Sequence, residues 1–217
     1  GYKLFLEIMK WFVLKKGLIS FSPAHVGAFL KSSPEIDLPD LQFVFTPASY
    51  TEGMIGKLQN IPGITCGVWQ SRPQSRGYVR ALSSCIKDAP LIQPNYLKET
   101  IDQNVLIQGV KICRDLLKTS NMKKISIKET LPGENIKTDS EILNFVKNNG
   151  ATVYHAIGSC RMGIDKDAVV DADLKLNGVE NLRVADASIM PTMPSGNTNA
   201  ATLMIAEKAS DLIKKDK

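Results

Sequence analysis

Two histidines serve the whole chain, and one of them, His155, sits in YHAIGSCRMG (154–163). A free imidazole titrates near ~6.5, so the side chain accepts a proton at neutral pH and suits general base chemistry. No second histidine or carboxylate stands at ligand spacing from it, which argues against a metal site. No GxSxG elbow precedes it, so a Ser/His/Asp hydrolase is poorly supported. A second polar concentration lies in MPSGNTNAATLMIAEKASDLI (193–213), where Asn197, Thr198 and Asn199 open a helical pattern. Free backbone N–H groups and the positive end of a helix dipole gather at such a start. Capping accounts for one Asn or Thr there, and two asparagines beside Ser195 and Gly196 exceed that need. A lone base with an amide-rich helix start can take a proton from an alcohol. The accompanying hydride needs a cofactor, since no side chain accepts one. Each residue also has an ordinary structural use, and the chemistry requires that the two stretches meet in space.

The elements that must bring them together are legible in part. LQFVFTPA (41–48), GITCGVWQSR (63–72) and GYVRALSS (77–84) are rich in β-branched and aromatic residues and are bounded by Pro, Gly and Ser, so they read as strands. RPQSRG has the Pro and Gly of a turn and predicts that the last two pair as an antiparallel hairpin. Thr100 and Gln103 have the spacing of a capping box for a helix burying Leu106, Val110, Cys113 and Leu117. Thr138 and Glu141 repeat that spacing before a short helix that stops at Gly150. NLRVADAS (181–188) reads as a short strand. Ala201, Met204, Ile205, Ala209, Leu212 and Ile213 then recur at helical spacing, with Glu207, Lys208 and Asp211 on the other face. His155 falls in a turn or at a strand end. Strands grouped before residue 120 with helices around them predict an α+β fold, an antiparallel sheet backed by helices.

Length and composition bound the remainder. The 217 residues, 43% of them hydrophobic, suffice for one large domain or two small ones. Cys66, Cys85, Cys113 and Cys160 show neither CxxC pairing nor regular spacing, so neither zinc nor a disulfide framework is expected, and a reduced cytoplasmic setting is the default. The net charge of +5 is spread along the chain. Without a basic block interleaved with aromatics, no nucleic-acid partner is expected. No apolar run of about 18 residues marks a transmembrane helix. YKLFLEIMKWFVLKKG places Leu4, Ile8, Trp11 and Phe12 on one helical face, which suits contact with the inner membrane surface but more often packs against its own protein. Glu7 and Lys10 interrupt the apolar core a signal peptide needs. A first residue that is glycine fits a piece of something longer.

YHAIGSCRMG followed by AVVDADLKLNGVENLRVADASIMPTMPSGNTNAATLMIAEKASDLI closely resembles the C-terminal signature of the glucose-methanol-choline (GMC) oxidoreductases, an FAD-dependent family that includes choline dehydrogenase and many alcohol dehydrogenases. GLISFSPAHVGAFLKS, PDLQFVFTPA, QSRPQSRGYVRALSS and APLIQPNYL extend the likeness upstream over nearly the whole chain.

The resemblance implies that His155 is the catalytic histidine, which takes or orients the substrate hydroxyl proton. Asn197 matches the partner position that holds the substrate oxygen while hydride passes to flavin N5. Asp186 and Ala187 match the stretch touching the ribityl and diphosphate part of FAD, and Thr198 with Asn199 the helix start at the flavin pyrimidine edge. It implies a GMC substrate-binding domain over 1–140, in part, and a segment 141–217 that completes the FAD-binding domain with its strand, loop and helix. A small-molecule alcohol would be the substrate and a quinone or carrier the electron acceptor. The chain departs from the family in having no GxGxxG turn for the ADP half of FAD. The dinucleotide-binding N-terminal portion is therefore expected to be missing, and a non-catalytic remnant or binding domain is the alternative. His25 has no identifiable partner and is taken as structural.

Overall fold

In a computed structural model, residues 1–22, 24–51 and 57–216 are described. Helix α1 spans Tyr2–Leu14, strands β1 to β5 span Val26–Leu30, Leu41–Thr46, Thr65–Gln70, Tyr78–Arg80 and Leu91–Gln93, and helices α2, α3 and α4 span Thr100–Leu117, Asp139–Asn149 and Asn199–Lys215. Helices with antiparallel sheets make this an α+β fold.

β1, β2 and β3 form an antiparallel sheet in that order, with Phe29 opposite Gln42 and Gln42 opposite Trp69. Successive side chains of a strand point to opposite faces. Leu41 and Phe43, both fully buried, therefore share one face, where they pack with Val105 and Cys113 of α2. The helix lies close because Gly109 has no side chain: a Cβ there would stand 2.9 Å from Val68 Cγ2 and 3.2 Å from Leu41 Cδ2. The other face carries Phe29, Gln42 and Trp69.

α3 begins at the expected capping box, Thr138 accepting from the Glu141 amide and Glu141 accepting from the Thr138 amide, and ends before Gly150. It packs on α2, with Lys111 and Asp139 2.6 Å apart and Ile142 fully buried. A second core gathers Val170, Leu174, Ile189, Met190, Ile205 and Ala209 beneath α4. Of the apolar positions expected on α4, Ile205 and Ala209 are buried, whereas Met204 and Ile213 are exposed.

Four expectations need correction. RPQSRG is not a hairpin turn: β3 pairs with β2, and β4 pairs instead with β5. The buried Asp102 carboxylate captures the Gln74 and Ser75 amides and the Ser75 hydroxyl, pinning this segment to the first turn of α2. Gly77 then lets the chain run against the Gln93–Pro94 backbone, where any Cβ would collide. Secondly, α2 has no capping box; its N-cap is Glu99, without a side-chain cap, and Gln103 donates to the Leu97 carbonyl. Its buried face is Val105, Gly109 and Cys113, while Leu106, Val110 and Leu117 are half-buried. Thirdly, 181–188 makes only an isolated bridge, Arg183 to Lys175, because Asp186 accepts from the Ser188 amide and turns the chain into a 3-10 turn at Ala187–Ile189. Finally, α1 forms but, among the described residues, none of its own is buried and its neighbouring element is the turn at Leu18–Ser20, whose Leu18 amide donates to Glu7. Among the described residues, no helix is long and apolar enough to cross a membrane.

Candidate active site

His155 follows Tyr154, a non-glycine residue at φ +62°. Downstream, the chain is laced to the approach to α4: the Cys160 amide donates to the Ser188 carbonyl at 3.0 Å and the Met162 amide to the Ile189 carbonyl at 2.8 Å. Gly158, at φ +80°, permits that approach, since a Cβ there would lie 3.3 Å from the Met190 carbonyl. The histidine segment is thereby set beside the loop that delivers Asn197 and Thr198.

The imidazole is held from both sides. Asn197 Nδ2 lies 2.9 Å from Nε2, and Thr198 Oγ1 lies 3.0 Å from Nδ1. Two residues forty-two positions apart thus converge, as the sequence required of any joint chemistry. His155 is half-buried and Thr198 buried, while Asn197 keeps an exposed side. The pair thus lies at the surface of this chain.

Of the other sequence-selected residues, Asn199 adjoins Thr198 in the chain, whereas the contacts described for Asp186 and Ala187 are with Ser188 and the second core and not with this pair. Asp186 is exposed, and its carboxyl is held below its usual range by the Ser188 side chain and amide. Ala187 starts the 3-10 turn and packs on the second core. Asn199 is exposed on the first residue of α4. The amides of Asn199, Ala200 and Ala201 precede the first helical bond, Thr202 to Thr198, and find no acceptor among the described residues. Such a helix start favours an anion or an electron-rich carbonyl. Thr198 does more than open the helix, since its side chain holds the histidine.

Sequence reasoning missed the residues that hold this site from the sheet. Gln42 Nε2 donates to Asn197 Oδ1 at 3.1 Å, and Trp69 Nε1 donates to Gln42 Oε1 at 3.0 Å. Arg72 Nη1 donates to Ser195 Oγ at 3.2 Å and its Nη2 to the Leu38 and Pro39 carbonyls. Gly196 lies against the Phe29 ring. The visible signal was a glutamine between two apolar residues in LQF, polar where a strand buried on both sides has no use for it. The His25 ring lies tilted against Phe21, with ring centroids 5.1 Å apart. No group of three or more His, Cys, Asp or Glu residues able to hold a metal ion exists among the described residues.

A family model described as GMC oxidoreductase matches residues 73–206. The alcohol dehydrogenase [acceptor] of Pseudomonas putida is 42% identical over 199 residues, covering 92% of this chain and 36% of that protein. Human mitochondrial choline dehydrogenase is 41% identical over 196 residues, covering 88% of this chain and 33% of that protein. Among solved structures, pyridoxine 4-oxidase from Mesorbium loti superposes with a TM-score of 0.80 at 28% identity, covering 89% of this chain and 38% of that one. The chain spans about a third of the length of the curated relatives it matches. With well over half of its residues inside that family's model, the chain belongs to the GMC oxidoreductases.

Proposed function

We propose that this chain is the C-terminal part of an FAD-dependent dehydrogenase that oxidises a primary alcohol, choline or another, to an aldehyde. The observation that carries this reading is the 2.9 Å contact between His155 Nε2 and Asn197 Nδ2 at the surface beside the start of α4. A hydroxyl entering there replaces the direct contact. Its oxygen accepts from the Asn197 amide and its proton faces His155 Nε2, so the base and the oxygen-binding group act on one atom. FAD, the family's cofactor, supplies when bound the hydride acceptor that no side chain offers. The free amides of Asn199, Ala200 and Ala201, with Asp186 and Ala187 upstream, are the residues that would hold it. In this reading residues 1–140 serve the substrate side and 141–217 complete the cofactor side.

The test uses the full-length protein, with flavin bleaching by alcohols followed in rapid mixing. Asn197→Ala removes a donor to the oxygen that gains negative charge, and is expected to slow the reaction about 10²- to 10³-fold, roughly 3 to 4 kcal/mol. His155→Ala is expected to lose at least as much. Normal flavin content with unchanged bleaching in either variant would refute the assignment.

A further inference from the structure

We infer that Gln42, a residue of the substrate-side sheet, sets which nitrogen of His155 carries its proton, acting through Asn197. The inference rests on the reading of His155 as the base, and it is carried by one hydrogen-bonded row. Trp69 Nε1 lies 3.0 Å from Gln42 Oε1, Gln42 Nε2 lies 3.1 Å from Asn197 Oδ1, Asn197 Nδ2 lies 2.9 Å from His155 Nε2, and His155 Nδ1 lies 3.0 Å from Thr198 Oγ1.

The row has a polarity that starts at Trp69. An indole nitrogen only donates, so the end of Gln42 that faces it must be the carbonyl oxygen. The NH₂ end of Gln42 then faces Asn197, which must answer with its own oxygen. That leaves the Asn197 NH₂ facing His155, and an NH₂ only donates, so Nε2 must offer its lone pair. A neutral imidazole with a free Nε2 carries its hydrogen on Nδ1, where the Thr198 hydroxyl accepts it. Reversing one link alone sets two donors or two acceptors face to face, which is costly for side chains as buried as Gln42 and Thr198, at 9% and 8% exposure. Gln42 is held for this task on the sheet face away from α2, directly opposite Trp69 in the β2–β3 register. The outcome is a lone pair on Nε2 and an Asn197 NH₂ turned toward it, so that a hydroxyl replacing the direct contact meets an acceptor for its proton and a donor for its oxygen. Gln42 touches neither the base nor that oxygen and is a positioning residue.

The consequence is an inversion that loss of packing does not produce. Gln42→Glu still accepts from Trp69, but it presents a second acceptor to Asn197. The Asn197 amide must then turn its NH₂ toward Glu and its oxygen toward His155, which moves the hydrogen to Nε2 and lets the Thr198 hydroxyl donate to Nδ1. Trp69→Phe removes the donor that sets the polarity and leaves both orientations accessible.

Long-range ¹H–¹⁵N correlation on the full-length protein, labelled with ¹⁵N only at its histidines, reads the tautomer directly, and His155→Gln identifies the signals of His155. At about pH 8.5 a free imidazole, with its pKa near ~6.5, is neutral. The wild-type chain is expected to show hydrogen on Nδ1 of His155, Gln42→Glu hydrogen on Nε2, and Trp69→Phe a ratio of the two forms at least about tenfold closer to one. A wild-type His155 protonated on Nε2, or a folded Gln42→Glu chain that keeps the wild-type tautomer, overturns the inference. Should Gln42→Glu not fold, an unchanged ratio in Trp69→Phe overturns it equally. In the full-length enzyme carrying FAD, Gln42→Glu is expected to lower kcat about tenfold or more with little change in KM and flavin content. If the tautomer inverts while kcat holds, the relay stands and His155 is not the base.

Discussion

Replacing Asp102 by asparagine changes one atom at the point where the segment 71–77 is tied to α2. Asp102 is 1% exposed and its carboxylate accepts four hydrogen bonds: Oδ1 from the Gln70 side chain at 3.0 Å and the Gln74 amide at 2.8 Å, Oδ2 from the Ser75 amide at 2.7 Å and from the Ser75 hydroxyl. An Asn amide keeps one oxygen but turns an NH₂ toward the Ser75 N–H. One buried donor loses its acceptor, at about 1 to 3 kcal/mol, and the bonds that remain are no longer assisted by charge. The summed loss is about 2 to 4 kcal/mol, which shifts a urea midpoint by roughly 1 to 2 M for an m-value near ~2 kcal/mol/M. The pH dependence gives a second reading. Burial pushes this carboxyl up, but the Gln74 amide, the Ser75 hydroxyl and amide and the Gln70 side chain together outweigh it, so it is held below its usual value. A folded-state pKa below the unfolded one, near ~3.9, means that the stabilisation is complete above about pH 5 and lost as pH falls through the folded value. The gap between wild type and Asp102→Asn in urea unfolding should therefore narrow below about pH 4. A midpoint shift that is negligible at pH 7, or a gap that does not change with acid, refutes this account of the loop.

Two further substitutions test the packing that positions the site. Gly109→Ala gains about 1 kcal/mol of helix propensity but drives a methyl against Val68 Cγ2 and the fully buried Leu41, an overpacking cost of about 1 to 3 kcal/mol. A net loss is expected in urea or thermal unfolding, and a stabilised variant would show that α2 does not approach the sheet as closely as described. Thr138→Ala removes the side-chain half of the α3 capping box and is expected to lower stability by about 1 kcal/mol, measured the same way; no change would mean that the Glu141 carboxylate on the two preceding amides, with the Lys111–Asp139 pair, suffices to hold the helix start.

The sequence by itself determined the local units. Thr138 and Glu141 predicted the start of α3 because a capping box is complete within four residues, and the spacing of Ile205 and Ala209 predicted α4 because a helix reads its own period. The types of His155 and Asn197, with the family signature around them, marked both as candidates for one chemistry. Pairing was different. β3 joins β2 and not β4, and the amides of the segment between β3 and β4 go to Asp102, 28 and 27 positions away, which no local pattern announces. The buried face of α2 was decided by Gly109, since only where the sheet comes close does the absent side chain matter. The relay through Gln42 lies beyond any local pattern, because Gln42 and Asn197 are separated by 155 residues and each offers both a donor and an acceptor. Only the packed structure, with the indole of Trp69 at one end, assigns each amide its direction.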